Sequence, residues 1–321
     1  MKLNTVILAA GIGKRLKTQS SKVIVRLINK PVIMHLLDNL EDILIPEDTY
    51  IIVGHQAEQV KKVVKKKFKK INFVYQKEQL GTGHAVMQVK PVLKNTEQPT
   101  LILAGDVPLI NSELITEFYN FHKNHKADIS VLTTNINNPH GYGRIIRDRS
   151  ENTLLKIVEE KDATATEKNI CEINSGIYLV ETNLLFDLLQ QVTPNNKQNE
   201  YYLTDIIKIA GKKKRNILPY LYNNEEMLRG INSREDMACI AGYIYKTTIK
   251  KHLQNGVTIL SPKNTFIEPD VIIEKDVIIE PFVTIKGKSV IKENSHIHSF
   301  CYLNDYVSKA GEVVAPYFKK E

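Results

Sequence analysis

Cysteine is scarce in this chain: three in 321 residues, Cys171, Cys239 and Cys301. They lie far apart, form no C-x-x-C pair and are odd in number, which argues against a disulfide framework and against a cysteine-built zinc site. Long apolar runs are also missing. None approaches the roughly 18 residues that a membrane span needs. The apolar stretch at residues 5–10 is short and is followed at once by glycines and basic residues, unlike a secretory signal. We therefore expect a cytoplasmic protein with no membrane partner.

Acidic residues are outnumbered, 36 against 44 Lys and Arg, giving a formal charge of +8. A basic balance can signal nucleic acid. Here the lysines concentrate between Lys61 and Lys70, with Val60, Val63, Val64, Phe68 and Ile71 interleaved. That spacing describes an amphipathic helix with a solvated basic face. No basic stripe interleaved with aromatics supports a nucleic-acid partner.

With 42% hydrophobic and 25% charged residues, the composition allows a large core and a second, smaller domain. Short apolar runs at 5–10, 50–53, 72–75, 100–103 and 129–133 alternate with helical patterns at 32–39, 58–68, 83–88 and 112–122. That alternation means βαβ units and a mainly parallel sheet. Runs at 144–147, 155–159 and 173–180 suggest further strands elaborating the sheet edge. Helices follow near 202–210 and 234–253.

The last stretch changes period. Ile267, Ile273, Ile279, Ile285, Ile291, Ile297 and Leu303 recur every six residues. Val271, Val277, Val283, Ser289, Ser295, Cys301 and Val307 supply the small or β-branched partner in each hexad. Three such hexads close one triangular coil of a parallel β-helix with the aliphatics inside. The count gives fewer than three coils. The domains expected are thus 1–231, a linker helix over 232–255, and a short left-handed parallel β-helix over 256–321.

The most informative segment, Leu8 to Leu16, reads L-A-A-G-I-G-K-R-L. A strand runs into a turn on two glycines, which permit positive φ and close approach of phosphates to the backbone. Arg15 and Lys22 add cations. The turn matches neither the Rossmann fingerprint, which would need a third glycine at Leu16, nor a Walker A loop. By itself it is a tight turn more often than a phosphate site.

Seven further segments keep it company. They are Q-K-E-Q-L-G-T-G-H-A from Gln76, L-A-G-D-V-P-L-I from Leu103, G-Y-G-R-I from Gly141, V-E-E-K-D-A from Val158, E-I-N-S-G from Glu172, N-E-Y-Y-L-T-D from Asn199 and G-I-N-S-R from Gly230. In order and spacing, with the hexad tail, they resemble the N-acetylglucosamine-1-phosphate uridyltransferase family of bacterial bifunctional type. The resemblance implies a Rossmann-like α/β nucleotidyltransferase domain followed by the β-helix. It implies UTP and a sugar 1-phosphate as partners, Mg²⁺ as cofactor, a role in making a cell-wall precursor, and association into homotrimers through the β-helix.

Residue by residue, the resemblance implies that Leu8, Ala9, Ala10, Gly11, Gly13, Gln76, Gly81 and Thr82 bind the nucleotide, and that Arg15 and Lys22 are catalytic cations. Gly105, Gly143, Glu159 and Asn174 would bind the sugar, with Glu160 an adjacent rival for Glu159. Asp106 and Asn232 would hold the metal. Their chemistry agrees: Mg²⁺ prefers hard oxygens and takes one or two protein groups beside substrate phosphates. An amide can read the edge of uracil. Plainer readings stand beside these. Asp106 suits a helix N-cap or turn, Asn232 a cap for the long helix, and Gln76 with Gly81 a strand end and simple turn.

Three positions depart from the family's usual pattern: Ser21 where proline precedes the lysine, Lys14 where Thr or Ser is common, and Ala104 before Gly-Asp. Full-length members also carry a longer repeat that acetylates glucosamine 1-phosphate. His296 and His298 lie in the repeat without the matching motif, so no acetyltransferase activity is expected. Another sugar 1-phosphate, such as glucose or N-acetylgalactosamine 1-phosphate, or a catalytically inert binding protein, are the alternatives.

Overall fold

A computed structural model describes residues 1–11, 13, 16, 18, 20–148 and 153–321. They form two compact units, one of residues 1–26 and 30–236, the other of residues 27–29 and 237–321.

The first unit is a Rossmann-like α/β layer. Its sheet runs Ile217–Leu221, Ile129–Asn135, Glu172–Glu181, Pro99–Ala104, Asn4–Ala9, Thr49–Val53, Asn72–Tyr75. The three strands from Asn4, Thr49 and Pro99 are parallel neighbours, in register from Thr5 beside Thr49 and Leu101. They are apolar on both faces because helices cover both, as parallel sheets require. Val6, Ile7, Tyr50, Ile51, Ile52 and Ile102 have no accessible surface. The helix Ala57–Lys65 buries Ala57, Val60 and Val64 and turns Lys62 and Lys65 to solvent, so the lysine run is a solvated face.

One expectation is corrected here. The strand Glu172–Glu181 does not elaborate an edge; it lies inside the sheet, antiparallel to both Pro99–Ala104 and Ile129–Asn135. Ile173, Ile177, Tyr178, Leu179 and Val180 are buried on both sides, and that burial demands an interior place. Only Arg144–Arg147 and Leu154–Val158 form a side hairpin, joined to the sheet by the pair Ile173 and Arg144. Ile217–Leu221 and the helix Thr182–Leu189 were not anticipated. Pro219 disguises the former as a loop, yet proline is tolerated on an edge strand, and this strand closes one edge of the sheet.

The second unit contains most of the helix Arg234–Gln254 and a parallel β-helix. Two of its walls stack four strands each and the third stacks Ile272–Ile273 on Val290–Ile291, with Val307 bridging to Val290. Ile267, Ile279, Ile285, Ile291, Ile297 and Leu303 point into the prism with no accessible surface. The stack is therefore longer than hexad counting indicates. The regular step is 18 residues, as from Ile278 to His296. The first step, Thr258 to Ile278, is longer, and the last, His296 to Val313, is one residue shorter, so Ile259 and Val314 fall out of the strict period. The shorter step also takes Val307 out of the hexad pattern: it is 62% exposed, and Ser308 takes the buried position.

Among the described residues no helix is long and apolar enough to cross a membrane.

Candidate functional site

The carboxyl ends of the parallel strands open onto a cavity of about 320 Å³ lined by Leu8, Ala10, Gly11, Lys22, Val23, Gln76, Gln79, Gly81, Thr82, Ala85, Ala104, Asp106 and Glu200. Ligands bind at this end of open α/β sheets because loops diverge there. Eight expected residues line it: Leu8, Ala10, Gly11, Lys22, Gln76, Gly81, Thr82 and Asp106. Arg15, like Lys14, lies outside the described residues.

The glycine turn has two characters. A Cβ on Gly11 would meet nothing within 4 Å, leaving open space above its backbone. Gly13 has φ +65° and a Cβ there would lie 2.7 Å from Lys22 Cβ. Gly11 thus suits a ligand's approach, whereas Gly13 is required by the turn and by Lys22. Ala9 is buried in its strand. Gly105 does not line the cavity: its N–H donates to Leu8 O at 2.9 Å, and a Cβ would press on that same carbonyl. The geometry leaves Gly105 no N–H for a sugar and explains it as a packing glycine.

The opposite wall comes from the L-G-T-G segment locked to N-E-Y-Y-L. Gly83 N–H donates to Tyr201 O at 2.7 Å, Tyr201 N–H to Leu80 O at 2.7 Å, and Leu203 N–H to Thr82 Oγ1 at 3.0 Å. Thr82, the first residue of helix Thr82–Met87, therefore anchors a loop through its hydroxyl. Gly81 has φ +111°, and a Cβ would sit 2.6 Å from Tyr201 O. Gly81→Ala should combine backbone strain of about 1–3 kcal/mol with overpacking of about 1–3 kcal/mol. A denaturant titration should show that loss; unchanged stability would mean the loop pairing is not fixed as described.

Gln76 is 3% exposed. Its Nε2 donates to Gly81 O at 3.2 Å and lies 3.1 Å from His84 Nδ1, while His84 Nε2 lies 3.1 Å from Gln88 Nε2. The amide nitrogen is thus held by the loop and by the ring, and Gln76 lines the cavity. His84 was not anticipated; its only sequence signal is its place two residues after Thr82, one turn from Gln88.

On the other side Lys22 Nζ forms an ion pair with Asp106 and donates to Asn232 Oδ1 at 2.8 Å. Both side chains of the ion pair are largely buried, 13% and 18% exposed. The segment carrying Asn232 docks by Ile231 N–H on Asp106 O at 2.9 Å. Asn232 does not cap the long helix with its side chain. Ser233 and Asp236 cap it instead. Ser233 N–H and Oγ–H donate to Asp236 Oδ2, and Asp236 N–H donates back to Ser233 Oγ, a reciprocal capping box. The Asn232 amide oxygen is thereby left to converge with Asp106 on one point.

Gly143, Glu159 and Asn174 gather in a second cluster. A Cβ on Gly143 would come within 3.6 Å of both Asn174 Cβ and Glu159 Oε2. Asn174 sits at a bulge between Asn174 and Ile177, where Gly176 has φ +79°. The bulge re-aims the side chain, which donates to Tyr178 OH at 2.7 Å and accepts from Gly176 N–H at 3.0 Å. Ala104 bridges the cluster to the cavity, 3.7 Å from a Cβ on Gly176. Glu160 is committed elsewhere: it pairs with Arg144, 1% exposed, at 2.7 Å and accepts from Gly141 N–H.

Burial raises the Glu159 carboxyl above the ordinary range, opposed by the Thr204 hydroxyl that donates to Oε1 at 3.1 Å and reinforced by Asp162, Asp205 and Glu200. A raised acid pKa means that the unfolded chain loses its proton first as pH rises. Stability should therefore fall from about pH 4.3 up to the folded value, and stay lower beyond it. Glu159→Gln removes that fall. Denaturant midpoints across this window should rise in the variant relative to wild type, and an identical pH profile would contradict the buried charge.

The family model described as nucleotidyl transferase matches residues 4–225. The chain is 42% identical over 269 residues to the bifunctional protein GlmU of Thermoanaerobacter pseudethanolicus, covering 84% of this chain and 57% of the relative. It is 40% identical over 266 residues to bifunctional protein GlmU of Streptococcus gordonii, covering 83% and 57%. The match thus spans less than two thirds of these relatives. A crystal structure of UDP-glucose pyrophosphorylase complexed with UDP-glucose superposes with a TM-score of 0.59 at 19% identity, covering 77% of this chain and 100% of that one. At that identity it bears on the fold.

Proposed function

The chain belongs to the nucleotidyl transferase family, and from that premise we propose that it joins UTP to N-acetylglucosamine 1-phosphate, forming UDP-N-acetylglucosamine and pyrophosphate. The observation that carries this reading is the convergence on one cavity of a base-reading amide, an open glycine backbone and a cation between two oxygen donors. The choice of sugar rests on the motif resemblance and on the cluster of Gly143, Glu159 and Asn174.

The sugar phosphate is already anionic near neutral pH, so no strong general base is needed. One of its oxygens attacks the α-phosphorus in line and pyrophosphate leaves. Catalysis is then positioning and charge neutralisation. Gly11 lets the phosphates reach the backbone, and Lys22 faces the transferring and leaving groups. Arg15, by the resemblance, adds a second cation.

Asp106 and Asn232 would hold a divalent cation, and Mg²⁺ suits the donor set. Two hard oxygens converge on one point, and the Lys22 ammonium stands there in place of an ion. Such an ion would supply neutralisation of phosphate charge at these oxygens, and Lys22 would supply its positive charge to the phosphates. Glu159 and Asn174 accept from and donate to sugar hydroxyls. Copies would associate as trimers through the wall bearing the exposed Ile272 and Val307, which sedimentation tests.

Gln76 Oε1 accepts from the ring N–H of uracil. Cytosine presents a lone pair at that position and would leave the oxygen unsatisfied, which polar sites reject strongly. Gln76→Ala should raise KM for UTP and shrink the preference for UTP over CTP at least about tenfold, the scale of one hydrogen bond. Competitive turnover of the two nucleotides measures it, and an unchanged ratio would remove Gln76 from base reading.

A further inference from the structure

We propose that Glu280, His296 and His298 form a binding site for a first-row divalent transition ion, of the zinc class, on the outer wall of the β-helix. The site follows from the hexad grammar. Ile279 and Ile297 point inward with no accessible surface. Side chains alternate along a strand, so the residues flanking each isoleucine face outward together. The 18-residue step pairs Ile278 with His296 and Ile279 with Ile297. Glu280 N–H donates to Ile297 O, which brings Glu280 beside His298.

The three side chains converge on one oxygen. Glu280 Oε1 lies 3.1 Å from His296 Nε2 and 2.9 Å from His298 Nδ1. One donor atom from each residue falls within 4.8 Å of the others. The imidazoles lie face to face, 4.3 Å between centroids at 26°. Ligands at zinc bond lengths of ~2.0–2.2 Å stand ~3.3–3.6 Å apart in a tetrahedron, so small side-chain rotations admit an ion. All three side chains are half-buried, 24–33% exposed, which leaves a path for the ion and for water in the remaining positions.

The carboxylate is also oriented. Glu280 Oε2 accepts from Ser299 N–H at 3.0 Å and from Ser299 Oγ–H at 2.9 Å, holding Oε1 toward the rings. Outer partners of this kind fix ligand orientation in metal sites. Two imidazole nitrogens and one carboxylate match zinc and its neighbours, whereas Mg²⁺ and Ca²⁺ take oxygen sets. The site stands independently of the proposed transferase activity.

The test titrates the full chain, stripped of metal, with Zn²⁺ against a chromophoric chelator in excess Mg²⁺. One equivalent should bind to wild type. Glu280→Ala, and His296→Ala with His298→Ala, should each weaken binding far more than tenfold, and Ser299→Ala about tenfold, the scale of an outer partner. Co²⁺ in place of Zn²⁺ should give visible absorption bands in wild type that the double histidine variant lacks. Circular dichroism of the metal-free variants should match wild type, because these side chains face outward. Equal Zn²⁺ affinity and stoichiometry in wild type and the variants would overturn the site and assign the binding to histidines elsewhere. No binding to wild type would reduce the cluster to a hydrogen-bonded trio.

Discussion

Asp106→Asn should lower pyrophosphate release from UTP and sugar 1-phosphate by about 10²–10³-fold, with a folded protein remaining. The substitution keeps the shape of the side chain and removes one negative charge. Asp106 sits just past strand Pro99–Ala104, with its backbone oxygen tied to Ile231 N–H, and that backbone bond survives. What disappears is the charged half of the oxygen pair that now holds Lys22. A divalent cation supplies several kcal/mol of charge stabilisation in phosphoryl chemistry, and an amide holds it far less strongly than a carboxylate. Raising Mg²⁺ should recover part of the loss. If the variant turned over normally at low Mg²⁺, Asp106 would be a turn residue and no more.

Lys22→Met should lower kcat by a similar order, about 10²-fold or more, while changing metal affinity in the opposite sense. The Lys22 ammonium bridges the same two oxygens that would hold an ion. Methionine keeps the bulk of the stem and removes that competitor. The free enzyme should then bind Mn²⁺ more tightly than wild type even as turnover collapses. This split separates a catalytic cation from a structural one: a purely structural lysine would weaken the fold and the metal site together. Lys22→Arg should restore little, since a planar fork cannot replace a compact ammonium seated between two oxygens. Faster turnover with Lys22→Met, or unchanged Mn²⁺ binding, would contradict the shared position.

Much of this site was legible in the residues. Gly11 and Asp106 lie where motifs mark strand ends, and strand ends are where an open α/β sheet binds ligands; Gln76, Gly81 and Lys22 were singled out through the family resemblance. The hexads declared the β-helix through a strict period. What escaped notice has physical reasons. Glu172–Glu181 carries the short apolar run Ile177–Val180, which says that it is buried and nothing about its direction; only the pairing makes it antiparallel. Pro219 hid an edge strand. A step one residue short moved Val307 outward and Ser308 inward, and no count by six can detect a slip. Two alternatives turn on partners that the motifs do not reveal. The cap that Asn232 could have supplied is made by Ser233 and Asp236, and Glu160, the neighbour of Glu159, pairs with Arg144. His84 and Thr204, which contact Gln76 and Glu159, carried no signal of their own, because those contacts are made across the fold.

On this reading one cavity reads a uracil nucleotide, holds a divalent cation and delivers a sugar phosphate to the α-phosphorus. Pyrophosphate release across a matrix of nucleoside triphosphates and sugar 1-phosphates, with and without Mg²⁺, probes all three at once. Release should be fastest from UTP with N-acetylglucosamine 1-phosphate, fall strongly with CTP, and vanish without a divalent cation. No release from any pair in the presence of Mg²⁺ would contradict the reading and leave a nucleotide-shaped cavity without chemistry.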